Sequence, residues 1–296
     1  MSPAATDPTP NKMRVFIQRL VTTLLLWSVL VFAFYLNDAR IVGAIVALFG
    51  LATTLEYCRL MRRSILTRSY LLLTMTVGAV YWAAVVFWLS TRGGSPPFWL
   101  DLAAVAAVAQ GSFLLSYRHE LAGAATLQRI FTNIFGIVYT LVFFSFLVRM
   151  MFAATEGAPN VYMILYLVMV TKFCDMGAYA FGIVFGRHKM IPHISPGKSW
   201  EGFGGAFVGG FVGAAILLAS MPRLLQPLDW LSGLLAVPLL CVAGVAGDLA
   251  ESVLKRCTST KDSGHALPGI GGVLDLTDSI LFTAPVFYFY LLAVRG

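Results

Sequence analysis

Cys241–Leu254 reads CVAGVAGDLAESVL, an apolar run with two carboxylates, Asp248 and Glu251, set inside it. With the apolar residues before it, the run predicts a helix over 232–256, long enough to cross a bilayer. Hydrocarbon cannot solvate a carboxylate, so acids in that setting turn to a partner, a metal ion or a water-filled cavity. Asp248, Glu251 and Lys255 stand at i, i+3 and i+7, one stripe on one helix face. Such a stripe cannot face lipid.

The rest of the chain sets the same scene. Of 296 residues, 58% are hydrophobic and 12% charged, with a mean hydropathy of +0.81. That composition describes an all-α polytopic membrane protein, and the polar stripe implies a cytoplasm-facing polar cavity within it. Apolar runs of the required length fall near 15–36, 41–58, 69–90, 98–117, 130–153, 161–185, 203–221, 232–256 and 275–294, about nine transmembrane helices. The first run is long and lacks a small-residue cleavage site, so it is read as a span and not as a signal peptide. Residues 1–12, MSPAATDPTPNK, read as a disordered cytoplasmic tail. Residues 13–160 then form the amino-terminal helices, and 161–296 the carboxy-terminal helices with the chemical motifs.

The net charge of +7 could point to nucleic acid, but its bases sit in short loops between spans and fit topology and anionic lipid instead. No nucleic-acid partner is expected. Bases crowd alternate loops: Arg59, Arg62, Arg63 and Arg68 in one, Arg118 and Arg129 in another, Arg187, Lys189 and Lys198 in a third. The intervening loops carry single bases, Arg40, Arg92, Arg149 and Arg223. The positive-inside rule then puts the amino terminus and the 247–279 stretch on the cytoplasmic side.

Downstream of the opening run come Arg256, Lys261 and Asp262, then Asp275 and Asp278 three apart at the start of the last apolar run. Carboxylates there suit a helix dipole or a cap. Between them KDSGHALPGIGG is rich in Gly and Pro, a loop whose backbone can approach a ligand closely. A second polar stripe lies in TKFCDMGAYAFG, where Lys172, Asp175 and Tyr179 share a helix face. After it, GRHKMIPHISPGKSWEGFGG reads as a loop in which Ser195, Pro196, Lys198, Ser199 and Glu201 crowd together and can offer hydroxyls, N–H groups and an ammonium to phosphate. Its GKS lacks the spacing of a P-loop.

A plainer reading has these charges pairing with one another, Lys172 with Asp175 for instance. The plainer reading is weakest for Asp248, deep in its apolar run. Cys58, Cys174, Cys241 and Cys257 show no metal or disulfide spacing and read as filler. His188, His193 and His265 read as solvated loop residues.

These residues resemble the phosphatidate cytidylyltransferase (CDP-diacylglycerol synthase) family over about 170–285. GDLAESVLKRCTSTKDSGHALPGIGGVLDLTDS, with DMGAY and ISPGKSWEGFGG upstream, is similar to the family pattern S-x-x-K-R, four residues, K-D, a Gly/Pro loop, H-G-G and D-R-x-D. The matches are Ser252, Lys255, Arg256, Lys261, Asp262, Gly264, Leu267, Pro268, Gly271, Gly272, Asp275 and Asp278. Ile270 stands where the family usually has His, and Leu276 where it usually has Arg.

The resemblance implies transfer of CMP from CTP to phosphatidate, giving CDP-diacylglycerol and pyrophosphate, with Mg²⁺ required and a second cation left open. The lipid phosphate is already anionic, so the barrier is mostly electrostatic. On this resemblance Asp248 and Asp275 are the expected metal ligands. Lys255, Arg256, Lys261, Asp262 and Asp278 serve catalysis, while Ser195, Pro196, Lys198, Ser199, Glu201, Lys172, Asp175, Gly271 and Gly272 contact substrates. Expected partners are CTP, phosphatidate and membrane lipids, a homodimer being left open, in a bacterial inner membrane with the site facing the cytoplasm. Rival classes are a CTP-dependent lipid-alcohol kinase, a transporter, and a catalytically dead relative.

Overall fold

Wherever about 20 apolar residues run together, backbone groups must satisfy one another inside the bilayer, and only a helix does that within one segment. The computed structural model describes residues 12–117, 122–153, 159–260, 264 and 271–295. Its helices are α1 (Lys12–Leu36), α2 (Ala39–Arg62), α3 (Arg68–Thr91), α4 (Trp99–Ser116), α5 (Ala124–Ile137), α6 (Phe143–Ala153), α7 (Tyr162–Phe185), α8 (Trp200–Ser220), α9 (Trp230–Cys257) and α10 (Val273–Arg295). Among the described residues, α2 to α10 supply eight stretches long and apolar enough to cross a membrane, α5 and α6 forming one of them over Ala124–Ala153. The 25-residue α1 occupies the place of the first expected span. The chain is an all-α polytopic membrane protein. The tail expected over 1–12 lies outside the described residues except for Lys12, which opens α1.

Three features depart from the expectation. The segment read as a loop after α7 contains a small antiparallel hairpin, β1 (Lys189–Ile191) and β2 (Ser195–Ser199), with Lys189 opposite Ser199 and Ile191 opposite Ser195. Pairing gives these backbone groups the partners that a helix would otherwise supply. The fifth span begins earlier than expected, at Ala124, and winds through a π-helical turn at Val138–Val142. The third departure is Arg149. Expected as a loop base, it is 1% exposed, with its guanidinium 2.8 Å from Asp101 at the start of α4. It also lies over the Phe98 ring, 4.4 Å from the centroid. Tyr81 donates to the other Asp101 oxygen at 2.6 Å. Hydropathy cannot reveal this burial, because the counter-charge comes from another helix.

Helix α10 packs against α2, α6, α7 and α9. Hydroxyls join it to its neighbours: Thr277 and Thr53 of α2 are 3.1 Å apart, and Thr171 of α7 donates to Thr283 at 3.4 Å. Such bonds count in a bilayer, where apolar contact alone does not favour protein over lipid. Close backbone approach fixes the helices around the site. A Cβ at Gly209 of α8 would run into Phe173 O of α7, and one at Gly247 of α9 would lie 2.5 Å from Asp278 O of α10. That second contact sets Asp248 beside Asp278.

Candidate active site

Where β2 runs into α8, Ser199 caps the helix, its Oγ accepting from Gly202 N at 3.1 Å. Strand and cap together hold Lys198 over α9. Lys198 Nζ lies 2.9 Å from Asp248 Oδ2 and 3.3 Å from Val245 O. One turn further along α9, Glu251 is 2% exposed and pairs with Lys255 at 2.6 Å. Lys255 also pairs with Asp275 of α10, so one ammonium ties the two helices. Asp275 Oδ2 accepts from Gly272 N at 2.8 Å and so caps α10. Gly271 before it has φ +118°, a conformation that a side chain would strain.

These groups line one cavity of about 830 Å³ between α7, β2, α8, α9 and α10. Lys172 and Asp175 of α7 form its far wall, 3.2 Å apart, and Lys172 also donates to Leu276 O at 3.0 Å. Ser279 Oγ bridges Asp278 Oδ1, at 3.2 Å, and Asp175 Oδ1, at 3.4 Å. The two polar stripes read from the sequence therefore face each other across the cavity.

Of the expected site residues, the structure brings Lys172, Asp175, Ser195, Lys198, Ser199, Asp248, Lys255, Asp275 and Asp278 to this cavity. Others sit beside it. Glu201 accepts from the His188 backbone N–H at 3.2 Å and meets the His188 ring at 2.6 Å. Arg256 donates to Ile194 O at 3.2 Å and pins the hairpin turn to α9. Pro196 lies in β2, while Gly271 and Gly272 shape the start of α10. Lys261 and Asp262 lie outside the described residues, as do His265, Leu267, Pro268 and Ile270.

Carboxylate oxygens of Asp248, Glu251 and Asp278 come within 4.8 Å of one another. Glu251 Oε1 is buried without a hydrogen-bond donor, an orphan that a cation would satisfy. Three converging carboxylates with one oxygen unpaired are a donor set suited to a hard divalent ion such as Mg²⁺. Asp275 Oδ1 is likewise buried without a hydrogen-bond donor, beside its contacts to Lys255 and the Gly272 N–H.

Sequence reasoning passes over Glu56, an acid in the apolar run LATTLEYCRL of α2. It is 4% exposed, and its Oε2 accepts from Leu274 N at 2.8 Å across the bundle. The signal was the one that marks Asp248, a lone carboxylate inside a span.

A model of the cytidylyltransferase family matches residues 17–294. Among curated proteins, the chain is similar to the phosphatidate cytidylyltransferase of Bacillus subtilis (strain 168), 44% identical over 130 residues, 43% of this chain and 46% of that one. The phosphatidate cytidylyltransferase of Mycobacterium tuberculosis (strain H37Rv) is 38% identical over 158 residues, 53% of this chain and 46% of that one. The uncharacterized protein YnbB of Escherichia coli (strain K12) is 39% identical over 142 residues, 48% of this chain and 46% of that one. The chain thus spans about half the length of the curated relatives it matches. With the match of the family model over nearly its full length, the chain belongs to the cytidylyltransferase family.

Proposed function

We propose that the protein transfers CMP from CTP to the phosphate of phosphatidate, forming CDP-diacylglycerol and pyrophosphate. A phosphate oxygen of the lipid attacks the α-phosphorus of CTP; that P–O bond forms as the bond to the β-phosphate breaks, and pyrophosphate leaves with its electron pair. No base is needed to activate an oxygen already ionised.

The supporting observation is the cavity itself, in which Lys172, Lys189, Lys198 and Lys255 face Asp175, Asp248, Glu251, Asp275 and Asp278. Carboxylates outnumber ammonium groups there, so a triphosphate enters such a site only together with cations. Asp248, Glu251 and Asp278 would hold Mg²⁺, which when bound neutralises charge on the phosphates. Lys198 and Lys255 line the same cavity and would pair with the phosphate oxygens of CTP. Lys172 stands on the opposite wall and meets the lipid phosphate. Asp275 and Gly272 keep the first turn of α10, and with it Asp278, in register.

The cavity lies where α7 and α9 end and α8 and α10 begin, the end of the bundle that carries Arg187 and Lys189, and the Glu56–Leu274 contact brings the Arg59, Arg62 and Arg63 end of α2 to the same side. By the positive-inside rule that end is cytoplasmic, in a bacterial inner membrane. The test is purified protein with labelled CTP, phosphatidate and Mg²⁺, followed by separation of lipid and nucleotide products. CDP-diacylglycerol with pyrophosphate supports the reading; a phosphorylated lipid with CDP overturns it in favour of a kinase.

A further inference from the structure

Beneath the polar cavity lies a second, apolar one. It measures about 400 Å³ and is walled by α1, α2, α6, α7 and α10. Apart from Lys172 and Thr277, every residue lining it is apolar, and the Thr277 hydroxyl is engaged with Val273 O at 2.9 Å. Lys172 alone lines both spaces. Its ammonium has three donors, and contacts to Asp175 and Leu276 O occupy two of them.

The groove has a direction. On α7 its residues Ile164 and Val168 precede Lys172, on α10 Ile280 follows Leu276, and on α2 Ile45 and Phe49 precede Glu56. Because these helices alternate in direction, each of those steps leads away from the polar cavity and deeper into the membrane. The floor is packed, with Leu147 and Ile164 each 3% exposed, while the rim is open, with Leu48 at 67% and Val29 at 45%. In a bilayer those rim residues face lipid.

We infer that one acyl chain of the phosphate-bearing lipid acceptor lies in this groove, between α2 and α10, with its phosphate at the Lys172 ammonium. This rests on the reaction proposed above and adds a seat for the lipid. The volume falls within the range of about 300–1,000 Å³ usual for small-ligand sites. An acyl chain gains little affinity by moving from bilayer to groove, since lipid tails are as apolar as the walls. Its gain is orientation: a chain running down from Lys172 holds the phosphate at the cavity floor, facing the carboxylates of α9 and α10. Leu276 is a groove wall, and its carbonyl steadies the ammonium.

The experiment uses the full chain in phosphatidylcholine nanodiscs with phosphatidate bearing a diazirine on one acyl chain. After photolysis, adducts should concentrate on residues 41–49 and 276–280. Excess unlabelled phosphatidate should displace them by about tenfold, and extra phosphatidylcholine should not. Lys172→Gln should remove most of the displaceable label and Lys172→Arg should retain it. Label spread evenly over α3 and α4, or insensitive to phosphatidate, overturns the inference. CDP-diacylglycerol formation is read in the same samples. Product without groove label sinks the seat and leaves the reaction standing, whereas groove label without product sinks the reaction and leaves a lipid-phosphate site.

Discussion

Lys198 Nζ rests 2.9 Å from Asp248 Oδ2 and so joins the strand before α8 to the middle of α9. The pair is part-exposed to the cavity, with side-chain exposures of 19% and 42%, so it can open without dragging a bare charge into hydrocarbon. Asp248→Asn keeps shape and removes a charge that the proposed reaction assigns to Mg²⁺. It should lower kcat by on the order of 100-fold, the usual result of losing a preorganised electrostatic group. Lys198→Met should instead act mainly on the KM for CTP. Steady-state kinetics on well-folded variants checks both, and an Asp248→Asn enzyme within threefold of wild type would refute the assignment.

Glu251 and Asp275 share Lys255 but differ in their other neighbours. Glu251 joins Asp248 and Asp278 in the carboxylate trio, whereas Asp275 caps α10. Glu251→Gln should therefore raise the Mg²⁺ concentration needed for half-maximal rate several-fold. Asp275→Asn should leave that midpoint nearly unchanged while lowering the maximal rate and the thermal midpoint. Metal titrations of the two variants separate the roles, and equal shifts in both midpoints would show that Asp275 binds metal too.

Much of this architecture is legible in the sequence because a bilayer imposes long apolar runs. Each expected span meets a helix in the structure. The stripes Asp248–Glu251–Lys255 and Lys172–Asp175 are legible for the same reason, since an acid or base in such a run must point inward. Spacing tells which face a carboxylate occupies and nothing of what crosses to it. Lys255 reaching Asp275, and Arg149 reaching Asp101, depend on which helices pack together. The hairpin escapes because strands of three and five residues, interrupted by Pro and Gly, carry no readable period. Leu276 is a similar case, since only packing shows that it faces an apolar groove.

Glu56 spans the bundle from α2 to the Leu274 N–H at the start of α10. Glu56→Leu leaves a buried N–H unpaired and should destabilise the fold by about 1–3 kcal/mol. Because that turn carries Asp275 and Asp278, the rate should fall as well. Glu56→Gln retains an acceptor and should keep most of both. Thermal unfolding in detergent alongside kcat is the check; a Gln variant as damaged as the Leu variant would mean that the charge itself matters.

Topology follows from the bases at the cavity end. With the exposed Cys257 replaced by Ser, single cysteines at positions 63 and 192 should react with a membrane-impermeant thiol reagent only after the cytoplasmic face is opened. Cysteines at 93 and 223 should react in intact cells. The three remaining native cysteines are buried and should stay silent. The reverse pattern would invert the protein in the membrane and place the cavity outside.

At the opposite end of the bundle, Arg149 and Asp101 form an ion pair with almost no exposure, 1% and 6% for the side chains. Two buried charges repay their desolvation only while each has the other. Arg149→Met leaves the buried Asp101 without its counter-charge, with hydroxyls as its remaining donors, Tyr81 among them, and should destabilise by about 3–5 kcal/mol. Asp101→Leu alone strands the guanidinium over Phe98 and should be as harmful. The double variant removes both charges together and should recover most of the loss, since apolar residues of similar volume replace a buried pair at little cost. A thermodynamic cycle from the four proteins gives the coupling directly. Additive effects of the two substitutions would mean that each charge has other partners, and the pair would then not be what anchors α6 to α4.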